Sequence, residues 1–248
     1  MSKLLDKLNQ ASRGAAQPLG FKAATSKSKS QPMVLIACLP KGTTRAMAAA
    51  KESADAVLLK GAQSLEKLVA SLGEATWGAA LEEYTEEQIT MLKEKGCDFL
   101  VFDAAKAPPT LLREEEVGKI VEIDPTIADG LVRAIEQLPI DAVLIGGEPS
   151  LSVHRLMVCQ HVANLVRKPL VASAPLDMSK EDLEALREAG MAGVVVNAEE
   201  DAKEGLSRLR QTIDGLPPFK RMREKAEALL PYIVPAETAE AQEEEEEE

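Results

Sequence analysis

The 248-residue chain has no apolar run near 18 residues, so nothing in it reads as a membrane-spanning helix. Its three cysteines, Cys38, Cys97 and Cys159, stand at no metal-ligand or redox spacing, and they read as reduced thiols of a cytosolic protein. The N-terminus lacks a signal-type apolar core. There are only two histidines. Acids outnumber bases outside the N-terminal segment. The net charge is -12, with eight acids and no base in residues 236–248 and six bases and one acid in residues 1–32, which leaves -9 for the body from 33 to 235. An acidic body excludes general binding of a phosphate backbone, which needs clustered Lys and Arg. No Gly-x-Gly-x-x-Gly follows the first apolar run, so the dinucleotide fingerprint of an open doubly wound sheet is missing.

What the sequence does contain is a repeat. From Met33 to about Pro217 an apolar run of strand type, a turn and a charged amphipathic segment recur eight times. The apolar runs span 33–39, 54–59, 75–81, 98–102, 119–123, 141–145, 170–173 and 193–196. Helices are signalled over 43–53, 64–72, 85–95, 126–137, 151–167, 179–189 and 202–214, several opening on capping-box patterns such as Thr85-Glu-Glu-Gln88 and Ser179-Lys-Glu-Asp182. The fourth unit is the exception, because Ala107-Pro-Pro109 leaves room only for a short helix from Thr110 to Glu116. Eight consecutive βα units are the number that closes a parallel sheet, so the expected fold is a compact single-domain (β/α)8 TIM barrel over residues 33–234. Residues 1–32 read as a short helix, Ser2 to Ala11 with Leu4, Leu5 and Leu8 on one side to close the barrel bottom, followed by a Ser/Lys linker. Pro217-Pro218 ends the eighth unit, a basic helix is expected from Lys220 to Leu230, and the acidic tail from 235 reads as disordered.

In such a barrel the reactive groups stand at the carboxyl ends of the strands, on the parity that points inward. Helices cover the outside of every strand, so the outward parity must be apolar. Val57 and Leu59 therefore face outward and Lys60 inward; by the same rule Glu82, Glu122 and Asp124 face in. Asp103, Glu148, Ser173, Asn197 and Glu199 complete a ring at the strand ends. The Gly146-Gly147 pair before Glu148 has the composition of an anion nest. His154, with His161 seven residues on, lies on the sixth helix, and it is the candidate histidine acid/base.

One lysine among carboxylates admits three readings. Glu82, Asp103, Asp124 and Glu148 hold Mg²⁺ or Mn²⁺ with hard oxygen ligands; or Lys60 serves as a base or Schiff-base amine, with Glu122 as the partner carboxylate; or Lys60 and Glu122 form an ion pair inside the barrel and the rest is solvated rim.

The order Lys60, Glu82, Asp103, Asp124 on strands two to five resembles the enolase superfamily. That resemblance implies a strand-two lysine acid/base and three carboxylates around Mg²⁺; this chain differs in having Leu58 where a second lysine is common. Residues 169–199, with Pro169-Leu-Val-Ala-Ser-Ala and Gly193-Val-Val-Val196, resemble the last two units of phosphate-binding and FMN-binding barrels, which implies a ligand at the loops after strands seven and eight, near Ser173 and Asn197, with the Gly146-Gly147 nest, read from its own residues, as a further candidate. The loops there, Ala174-Pro-Leu-Asp177 and Asn197-Ala-Glu-Glu-Asp201, lack those families' glycines. The expected function is a lyase or isomerase acting on a small organic acid; a non-catalytic scaffold that binds a protein through its N-terminal segment or acidic tail is the alternative, and an FMN- or phosphate-binding barrel a third.

Overall fold

The computed structural model describes residues 2–13, 32–40, 43–61, 65–81, 85–147, 150–199 and 201–217. Eight parallel strands close into a barrel in sequence order: β1 (Val34–Leu39), β2 (Ala56–Lys60), β3 (Trp77–Ala80), β4 (Phe99–Asp103), β5 (Gly118–Ile123), β6 (Ala142–Ile145), β7 (Leu170–Ala174) and β8 (Met191–Asn197). Closure comes from the β1–β8 ladder, which runs from Val34↔Gly193 to Cys38↔Asn197. An N-terminal helix, α1 (Lys3–Arg13), precedes the barrel, α2 (Thr44–Ser53), α3 (Leu65–Leu72), α4 (Glu86–Glu94), α5 (Asp129–Ile135), α6 (Val153–Leu165) and α7 (Lys180–Glu188) return between strands, and α8 (Lys203–Asp214) follows β8. The fourth unit returns through a 3₁₀ helix, Pro109–Arg113, in place of an α-helix. Pro108 and Pro109 supply the fixed φ of a first turn but no N–H to extend it.

The expected helix starts are borne out where a capping residue marks them. Thr85 and Ser179 each close a capping box, with Gln88 and Asp182 as the returning side chains. Two helices are shorter than the hydrophobic pattern suggests: the fifth begins at Asp129, because Asp124 and Thr126 first make a turn of their own, and the sixth begins at Val153 behind the cap Ser152. The expected basic helix 220–230 and the acidic tail lie outside the described residues.

Two apolar cores share the sheet. The outer one lies between strands and helices and takes Leu35, Ala37, Val57, Leu59, Trp77, Val121 and Ile123. The inner one fills the barrel with Val34, Ile36, Cys38, Ala56, Leu58, Ala80, Phe99, Val101, Ile120 and Leu144, and Leu4 and Leu8 of α1 belong to it. Strand parity is therefore as the alternation of β2 and β5 required. Gly78 makes room for a larger neighbour, since a Cβ there would lie 2.5 Å from the Phe99 ring.

Helix α1 stops the lower end of the barrel. Its N-terminus is held by the Asp98 carboxylate, which accepts from Ser2 Oγ at 2.6 Å, Lys3 N at 2.8 Å and Leu4 N at 3.0 Å. A carboxylate here satisfies the orphan amides of the first turn and offsets the positive end of the helix dipole. The strands make space for it: Cβ atoms at Gly118 and Gly193 would lie 2.8 Å from Leu5 Cδ1 and 3.1 Å from Leu8 Cδ2. Because Leu8 is fully buried, Leu8→Ala is expected to cost about 2 to 5 kcal/mol in urea unfolding. A loss under about 0.5 kcal/mol, the scale of a surface change, would show that the plug does not fold with the barrel.

Candidate active site

Following the strand register round the barrel stacks the inward side chains in layers of four, odd and even strands alternating. Leu58, Val101, Leu144 and Val195 form an apolar layer. The next layer is Cys38, Ala80, Glu122 and Ser173; the uppermost is Lys60, Asp103, Gly146 and Asn197. Lys60, Glu122, Asp103, Gly146, Ser173 and Asn197, six of the residues singled out from sequence, thus come together in the top two layers. The apolar layer beneath them is the floor of a shallow cup.

Within the cup Lys60 and Asn197 are exposed, whereas Glu122, Ser173 and Asp103 are half-buried. Gly61 takes a left-handed φ of 63° directly after Lys60 and donates its N–H to Ala80 O at 3.2 Å, fixing where the lysine leaves β2. Glu122 leans across β6: its Oε1 lies 3.0 Å from where a Cβ on Gly146 would be, so a larger residue there would press on this carboxylate. Gly147 has φ 97°, and a Cβ on it would lie 3.0 Å from Pro125 Cγ. Beneath this turn the buried Arg155 of α6 donates to Gly146 O at 2.7 Å and Ile145 O at 2.8 Å. The Gly-Gly turn is held from below by a guanidinium.

Cys38 is the member that strand pattern alone passed over, because all six residues of β1 are apolar and none breaks the alternation. Its thiol is buried and pushed up to about 11, chiefly by burial, with Lys60 opposing and Glu122 adding to the shift. Among the described residues, however, Lys60 and Glu122 form no ion pair within 4.0 Å, so the internal pairing considered from sequence is not made.

Two of the expected ring carboxylates are engaged in turns of their own. Asp124 is exposed at the end of β5 and accepts from Thr126 N at 2.8 Å and Thr126 Oγ1 at 2.5 Å, contacts that hold its carboxyl below the usual range. Asp103 Oδ1 accepts from Ala105 N at 2.9 Å, closing a similar turn. These two carboxylates serve their own loops, and no three His, Cys, Asp or Glu groups among the described residues converge as a cation would need. Glu82 and Glu148 lie outside the described residues. His154 is exposed on the outer side of α6 with His161, which hydrogen-bonds Asp129 at 2.8 Å; the structure does not bring it to the cup.

No helix among the described residues is long and apolar enough to cross a membrane. No family model matches the chain, and no curated protein matches it. Solved structures do. The YdjI aldolase from Escherichia coli K12 superimposes with TM-score 0.60 at 13% identity, over 87% of this chain and 98% of that one. A tryptophan synthase alpha-subunit from Pyrococcus furiosus gives TM-score 0.56 at 14% identity, over 74% and 98%. A designed cube-shaped protein cage gives 0.55 at 17%, over 73% and 70%. At these identities the likeness is one of fold, and with the closed eight-stranded sheet it makes the chain a TIM barrel.

Two buried thiols give a pH test. Burial pushes Cys97 up to about 12 and Cys38 to about 11, against 9.0 for the free thiol. From pH 9 upward the unfolded chain releases protons that the native chain keeps, so this stability is complete below pH 9 and is lost as pH rises, to about 11 for Cys38. The stability difference between the wild type and Cys38→Ala is expected to shrink by on the order of 2 to 3 kcal/mol between pH 8 and 11. A difference that stays constant over that range would refute a buried neutral thiol.

Proposed function

We propose that the cup binds a small organic acid and carries lyase-type chemistry, with Lys60 and Glu122 as the reacting pair. The supporting observation is that these two opposite charges stand in the top two layers of the barrel and, among the described residues, form no ion pair with each other. A substrate carboxylate or carbonyl fits between them. Lys60 binds its oxygen and stabilises the negative charge that develops there, and Glu122 takes a proton from the adjacent carbon; the electron pair moves toward the oxygen and then expels a leaving group from the next carbon. Ser173 and Asn197 supply neutral donors and acceptors for orientation. Such chemistry belongs to the mouth of this fold, the end where strand-end side chains meet, and one fold neighbour is an aldolase by its description. The described carboxylates do not form a cation cage, so no step is routed through Mg²⁺ or Mn²⁺.

The test is a panel of small 2-oxo and hydroxy acids, followed by NMR for substrate loss, with the full chain and its Lys60→Met and Glu122→Gln variants. Each substitution is expected to lower turnover by roughly 10²- to 10⁴-fold, the range of one positioned acid/base. Lys60 is exposed and unpaired among the described residues, so Lys60→Met is expected to shift stability by no more than about 0.5 kcal/mol. Unchanged turnover in both variants would overturn the assignment, and failure of every acid to bind would favour the scaffold reading.

A further inference from the structure

The strongest feature outside the cup is the outer face of α6. Among the described residues the exposed large apolar side chains are Leu131, Leu138, Val153 and Met157, and all lie on α5, on the turn after it or on α6; Val153 is 75% and Met157 65% exposed. Two of them, Val153 and Met157, line a groove of about 880 Å³ that reaches Ile127 on the α5 side and Ala185 and Glu188 on the α7 side. The helix exposes Val153, His154, Met157, Gln160, His161 and Asn164. It contains no acid, and its one fixed charge, Arg155, is turned inward and buried on the carbonyls of β6. By contrast, α2, α4, α5, α7 and α8 each expose at least one acid.

We infer that this face is where a second copy of the chain docks, α6 against α6 and antiparallel about a two-fold axis. Charge decides the occupant. A chain of net charge -12 repels its own copies over most of its surface, and it repels an anionic lipid surface equally. A basic partner would be drawn to the acidic faces instead. Among the described residues, a neutral apolar face on a strongly acidic body is where two copies meet without opposing like charges, and exposed apolar patches of this kind mark association sites. The stripe is also self-complementary. Val153, Met157, Gln160 and Asn164 follow steps of four, three and four, so an antiparallel pair sets Met157 of each copy against Gln160 of the other and Val153 against Asn164. The groove beside the helix takes the flanking side chains. Asp129, which faces this side, is already engaged by His161, and Glu188 stays at the rim.

Thirteen helical residues span about 20 Å, which is short for a permanent interface, so a reversible dimer with Kd in the micromolar range is expected. The experiment is sedimentation velocity of the full chain across a concentration series from about 1 to about 200 μM, a range that brackets such a Kd. The wild type is expected to shift from monomer to dimer. Met157→Glu, at an exposed position that leaves the fold intact by circular dichroism, is expected to weaken the dimer at least tenfold, and the double variant Met157→Glu, Gln160→Lys is expected to regain it by setting opposite charges face to face. A wild type that stays monomeric throughout, or a dimer indifferent to Met157→Glu, would overturn the proposal. A double variant as weak as the single one would overturn the antiparallel pairing.

Discussion

Closure of the sheet is the constraint on which the rest of this molecule depends. Once Val34–Cys38 pairs with Gly193–Asn197, every strand must send alternate residues into a space that holds four side chains per layer. Size then becomes a shared quantity. Phe99 fits because Gly78 has no side chain, and α1 fits because Gly118 and Gly193 leave the lower end open. The same layering lifts Lys60, Asp103, Gly146 and Asn197 above Cys38 and Glu122, so the chemistry of the mouth follows from the register of strands that share no local sequence.

Much of this was legible from the residues. Eight repeats implied closure, and the charged residues in β2 and β5 disclosed parity, because Glu122 cannot face a helix-covered apolar layer. Other features gave no signal. A uniformly apolar β1 hides which of its residues point inward, which is why Cys38 became visible as a member of the cup only with the register. Asp124 has the right parity for a ring, yet Thr126 two residues on captures its carboxylate in a local turn. Short-range hydrogen bonding of Asx residues competes with longer-range roles, and parity says nothing about it. His154 was placed on the correct helix, but a helix position without the barrel's tilt does not say whether a side chain looks to the mouth or to the side.

The distribution of charge divides the molecule into regions with different tasks. Acids cover most helices, opposite charges face the cup, and α6 has neither. Arg155 links two of these regions. Its guanidinium leaves the α6 surface neutral by turning inward, and in doing so it secures the Gly146 turn against which Glu122 rests. The side of the barrel proposed for association and the turn beside the proposed reacting carboxylate are therefore joined by one side chain.

The plug formed by α1 has a consequence for traffic. With Leu4 and Leu8 sealed into the base and the amide of Leu4 tied to Asp98, the barrel is a cup with a single lip. Whatever enters must leave by the way it came, and water trapped beneath a bound molecule has no exit below. Exchange at the site is thus governed by the loops around one rim, and evolution could alter residence time there without touching the walls.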